Sequence, residues 1–220
     1  MPTSQLIRWS GLSLMLGGIG LAVESVMHPP GETAEYVLEP VWGFAHWLGA
    51  IAWLLILFGL CGLYARQAQR VGRLGLVGFV MAAAGSALTA GTFMVGGAVL
   101  QPIMAQGAPD LLAADGPFFT DGSVKVAGGL ILAGFIGFVL LAIATLRARS
   151  LPPIGSWILI LLVPAGVVAG PLVLIVAPGQ EGIVLLLLGI AIAVGCIAWG
   201  SALWRNPGGS AMTGSTVEDR

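Results

Sequence analysis

A chain of 220 residues that is 57% hydrophobic and only 9% charged cannot cover a globule with wetted surface, because soluble domains carry about 25% charged residues. A mean hydropathy of +0.98 makes lipid the solvent for most of the chain. Its net charge of -1 offers no basic field to nucleic acid, and its two cysteines, Cys61 and Cys196, read as small apolar residues and not as a disulfide scaffold.

Six stretches reach the roughly 20 mainly apolar residues that a membrane-crossing helix needs: 6–27, 41–64, 74–100, 126–146, 154–176 and 182–204. The first follows Arg8 and runs past the small residues near Ala22 to Met27, which favours a retained helix over a cleaved signal segment. Pro40 stands where a first-turn proline is tolerated, at the start of the second. The third is long for one crossing and needs tilt, or a bend before Gln101-Pro102. Residues 106–122 then form the longest loop, with a short interfacial helix from Asp110 and with Phe118-Phe119 dipping toward the headgroups. Ser123 is placed to cap the fourth helix, Pro152-Pro153 break the chain before the fifth, and Pro164 and Pro171 should kink the fifth. The tail 206–220, rich in Gly, Ser and Thr, is expected to be disordered and cytoplasmic.

Charge sets the orientation. Arg8, Arg66, Arg70, Arg73, Arg147, Arg149 and Arg205 fall on one side of these spans. Glu32, Glu35, Glu39, Asp110, Asp115, Asp121 and Glu181 fall on the other, with Lys125 alone among them. Cytoplasmic loops collect Arg and Lys, so the expected fold is an all-α polytopic membrane protein of six helices in three hairpins, with both termini cytoplasmic. Trp9, Trp42, Trp157 and Trp204 lie near helix ends, as an interfacial belt would place them. The arginine-rich ends of the even-numbered helices are also compatible with a triplicated hairpin.

Spanning helices associate through small residues that let backbones approach. The third helix offers Gly78, Ala82, Gly85, Thr89, Thr92 and Gly96; the fourth Gly129, Ala133 and Gly137; the sixth Gly189, Ala193, Cys196 and Gly200. The first offers Ser10, Ser13, Gly17, Gly20 and Glu24, with His28 one turn on. That last seam turns Glu24 toward the bundle, about 5 Å inside the outer boundary.

Glu24 and His28 are four apart, hence on one helix face, and His46 enters from the same side on the next helix. Thr89 and Thr92 reach the same layer, so Glu24, His28, His46, Thr89 and Thr92 form one candidate ligand or proton-responsive site. An ionisable group within a span is a functional hypothesis by default. The residue types admit several readings. One is an outward-opening ligand cavity. Another is a carboxyl–imidazole pair that couples protonation to sensing or transport. A transition metal on Glu24, His28 and His46 is a third, and haem b on the two histidines a fourth. The plain alternative is that Glu24 pairs with an imidazole only to satisfy both, with no cofactor at all.

Ser-His-Asp sets, His-Glu-x-x-His motifs, nucleotide-binding glycine loops and channel filters are all missing, which argues against an enzyme. The expectation is a small binding, sensing or transport-like protein of the cell membrane. The alternatives are a metal- or haem-binding membrane subunit, or an accessory subunit that packs onto a membrane partner or its own copy through glycine seams. Beyond these, the lipid bilayer is the one expected partner.

The length, the span count, the basic-and-proline turn at 146–157 and the last helix ending Leu203-Trp204 resemble families of six-span bacterial inner-membrane proteins grouped as domains of unknown function. That resemblance implies a fold and no activity.

Overall fold

Gly72 sets the architecture. Helix α3 (Pro40–Gly91) continues through a π-helical segment (Thr92–Leu100) into α4 (Gln101–Gly107). As one straight rod these 68 residues would reach about 100 Å at about 1.5 Å per residue, far beyond a hydrocarbon core of about 30 Å. The chain folds back at Gly72 instead, whose φ of 58° and ψ of -159° are tolerated only without a Cβ. The two limbs run antiparallel: Tyr64 stacks on Phe79 near the turn, with centroids 4.5 Å apart, and Trp42 bonds to Gly97 at the far end.

The computed structural model describes residues 3–113, 115–176 and 181–207, and among them every regular element is helical. Four stretches are long and apolar enough to cross a membrane: Thr3–Met27, Pro40–Gly107, Gly122–Ala148 and Gly182–Arg205. Around the α3 hairpin, α1 (Thr3–Met27), α6 (Gly122–Ala148), α7 (Pro153–Val176) and α8 (Glu181–Arg205) close a ring. In it α1 packs between α8 and the first limb of α3, the second limb packs on α6, and α7 joins α6 to α8. Large side chains such as Ile19, Phe44, Phe58, Val80, Ile136 and Leu161 face outward, a surface that lipid and not water would solvate. Residues 177–180 and those beyond Pro207, where the disordered tail was expected, lie outside the described residues.

Glycines set how closely the helices approach. A Cβ on Gly17 would sit 2.8 Å from the Ala52 carbonyl oxygen, and one on Gly18 2.7 Å from that of Ala193. Gly85 and Gly134 pack backbone to backbone, so the α6 seam runs through Gly134 and Gly137. Gly137 was expected in that seam; Gly129, also expected there, faces open space. The N-cap of α6 likewise is Asp121 and not Ser123: its Oδ1 accepts the Ser123 backbone N–H at 2.7 Å. Helix α7 passes through Pro164 and Pro171 as one continuous helix.

The two ends differ in charge and in packing. At one, Arg8 lies 4.2 Å over the Trp204 ring, the Arg66 guanidinium donates to the Ser150 carbonyl, and buried Gln67 and Thr145 bond each other. Leu14, Ile56, Leu60, Leu141, Trp199 and Leu203 are fully buried toward this end. At the acidic end three short elements form a cap: α2 (Ala34–Val37), a 3-10 turn (Pro109–Leu112) and α5 (Pro117–Thr120). Val37, Trp42, Ala105 and Leu112 make a small separate core there, and a cavity lies beneath it.

The glycine contacts give a direct test by thermal unfolding in detergent. Gly134→Ala drives a methyl into the Gly85 backbone and should destabilise by about 1–3 kcal/mol. Gly128→Ala, which meets nothing within 4 Å, should leave the midpoint unchanged.

Candidate functional site

The site begins with a missing backbone proton. In the π-helical segment N–H groups bond five residues back, and the Gln101 N–H bonds the Gly96 carbonyl. The next donor in that register would serve Gly97, but residue 102 is proline and has no N–H. The Gly97 carbonyl is therefore left without a helical donor, and a buried orphan carbonyl is costly. Trp42, fully buried on the facing limb, donates its indole N–H to it at 2.9 Å. Trp42 is thus an interior clamp and not the belt residue its position near a helix end suggested.

The same glycine makes room for His46. A Cβ at position 97 would overlap the imidazole, which stacks on Trp42 with centroids 4.2 Å apart and on Phe93 at 5.2 Å. His46 is 5% exposed, and its Nδ1 lies 2.9 Å from the Trp42 carbonyl. A carbonyl only accepts, so Nδ1 carries a proton, and in the neutral ring Nε2 is the acceptor. His28 is half-buried and its ring centroid is 4.9 Å from that of His46. Its Nδ1 donates in the same way to the Pro29 carbonyl at 2.7 Å.

Glu24 lies across the hairpin on α1, 3% exposed, with its Cγ against Gly49. The Glu24–His28 pairing that a four-residue spacing allows is not made. His28 turns to Pro29, and the carboxylate's hydrogen-bond partner among the described residues is the Ser25 hydroxyl at 3.3 Å. That hydroxyl has one proton and a shorter bond, 2.8 Å, to the Leu21 carbonyl. Thr89 is buried and donates to the Gly85 carbonyl, while Thr92 lines the cavity from the π-helical segment.

All five expected site residues border one cavity of about 590 Å³. Residues not singled out in the sequence complete it. Trp53, Phe93 and Phe135 wall it, Phe118 and Phe119 lie beneath the cap, and Gln101 donates to Glu32 across the mouth at 2.9 Å. Gln101-Pro102 inside an apolar run was the available signal for this part of the site.

As a metal centre the set does not fit: among the described residues no three His, Cys, Asp or Glu side chains are grouped to hold an ion. Nor does it fit haem on both histidines. Their rings sit side by side, tilted 54°, and do not face each other across a slot for a porphyrin. What the arrangement provides is an amphipathic chamber with a buried carboxyl and two imidazole acceptors. No protein-family model matches this chain, and neither do curated proteins or solved structures.

A double-mutant cycle tests how the site is held. Trp42→Phe leaves the Gly97 carbonyl unsatisfied and should cost about 1–3 kcal/mol. Pro102→Ala restores a backbone donor in reach of that carbonyl. The double variant should accordingly recover about 1 kcal/mol relative to the sum of the single effects.

Proposed function

We propose that this is an integral membrane protein of six crossings, with both termini cytoplasmic, that binds a small molecule in a cavity opening to the outer side. Its role is then binding, sensing or transport-like, without catalysis. The observation that carries this reading is the cavity of about 590 Å³ with Glu24 buried in its wall. Ligand pockets typically measure about 300–1,000 Å³, largely apolar with a few convergent polar groups. A membrane-embedded carboxyl kept only for packing would sit better as a glutamine or a leucine, since its burial is costly.

Support for six crossings comes from the reversal at Gly72, which divides Pro40–Gly107 into two limbs, and from the apolar length of α7. Support for the orientation comes from the charges: seven arginines gather at the end where α1 starts and α8 finishes, and acidic loops at the other.

Two measurements check these statements. In a background without cysteines, a cysteine replacing Glu35 should react with an impermeant maleimide in intact cells. One replacing Arg70 should react only after permeabilisation, and the reverse pattern would invert the topology. For the cavity, Gly96 lines it and has room for a Cβ, whose nearest neighbour would be Thr92 Cγ2 at 3.7 Å. In nanodiscs, Gly96→Phe should keep the unfolding midpoint yet weaken binding of the neutral probe 2-naphthylmethanol by about tenfold. Unchanged probe affinity would place binding elsewhere.

A further inference from the structure

Most of the polar side chains lining the deep part of the cavity accept hydrogen bonds. His28 and His46 donate from Nδ1 to the Pro29 and Trp42 carbonyls, so in the neutral ring each Nε2 is an acceptor. The Thr89 proton is committed to the Gly85 carbonyl, and that of Ser25 to Leu21. Glu24, 3% exposed, is an acceptor with one long bond. Among the described lining residues, the side-chain donors left free are the Thr92 hydroxyl, the Trp53 indole N–H and the second amide proton of Gln101, whose first is held by Glu32. No Lys or Arg is among the described residues lining the cavity.

The walls and the approach favour one charge. Trp53, Phe93 and Phe135 line the cavity, and aromatic rings attract a cation placed over them through the ring quadrupole. Glu32 stands at the mouth, and Glu35, Glu39, Asp110, Asp115 and Asp121 lie in the same outer segments, where Lys125 is the one basic residue. Such a field draws cations toward the opening and repels anions.

We propose that the ligand is a hydrophobic organic cation, a protonated amine on an apolar body. Its ammonium group is held by Glu24 and donates to the imidazole acceptors, while the body lies against Trp53, Phe93 and Phe135. The ammonium supplies the countercharge that Glu24 lacks among the described residues. This assignment rests on reading the cavity as a binding site, and it adds the chemical class.

Three probes with one naphthalene body separate the two statements: 2-naphthylmethylamine, 2-naphthylmethanol and 2-naphthoate. Each is titrated calorimetrically into the full chain in nanodiscs, with empty nanodiscs subtracted. The amine should bind at least about tenfold more tightly than the alcohol, and the carboxylate most weakly, since a charge-assisted hydrogen bond adds that much. Glu24→Gln should erase the amine's advantage while leaving the alcohol's affinity in place. If amine and alcohol bind alike, or the carboxylate binds best, the cation assignment is overturned and the cavity reading stands. If none of the three binds, both fall. Should Glu24→Gln not fold, the order of affinities in the native chain still decides.

Discussion

The hydrogen bond from the Trp42 indole to the Gly97 carbonyl is the interaction on which the outer half of this protein depends. It exists because Pro102 cannot supply an N–H to a helix whose register has already widened to bonds five residues apart. A carbonyl left bare in an apolar interior must find a donor, and tryptophan brings one on a large apolar body. Once Trp42 is fixed, His46 one turn later is fixed as well. Its ring stacks on the indole, its Nδ1 bonds the Trp42 carbonyl, and the absent side chain of Gly97 leaves it room. Backbone chemistry at one proline thus sets the orientation of an imidazole on another limb.

The bundle is closed at one end and hollow at the other for a related reason. Toward the arginine end, glycines such as Gly11 against Gly200 and Gly78 against Leu141 bring backbones into contact, and Leu, Phe and Trp fill the centre. Toward the acidic end, bulky rings face each other from different helices, and prolines interrupt the chain at Pro29-Pro30, Pro102 and Pro117. Helices propped apart by Phe93, Trp53 and Phe135 cannot zip together there. The short segments that follow roof the gap, with Gln101 and Glu32 bonded across its mouth.

Much of this was legible in the sequence. Apolar runs bounded by Arg, Pro and Gly located α1, α6, α7 and α8 to within a few residues. The second and third runs stopped short of limbs that stay helical to the Gly72 turn and to Gly107, and the α1 seam correctly turned Glu24 inward. The third helix shows where such reading stops. Its seam holds through Gly78, Ala82, Gly85 and Thr89, all buried, and Thr92 still borders the cavity, but the close packing does not continue at Gly96. A spacing of three and four assumes about 3.6 residues per turn, and the π-helical segment turns more slowly. Gly97 therefore comes to face the partner limb in place of Gly96. In α6 Gly137 packs as expected, but the seam continues through Gly134 and not Gly129, because Gly128, Gly129 and Gly134 offer several seams and only the partner's shape selects one. Trp42 was misassigned because proximity to a helix end says nothing of which way an indole points.

The central claim is that Trp42 satisfies the carbonyl Pro102 leaves open. Dipolar-recoupling solid-state NMR in lipid bilayers, with 15N on the indole nitrogens and 13C on glycine carbonyls, reads this contact. Comparison with Trp42→Phe isolates the signal of Trp42. The structure calls for a strong close-range nitrogen–carbonyl coupling that disappears in the variant, in keeping with a donor–acceptor distance of 2.9 Å. Equal dephasing in both proteins would contradict it.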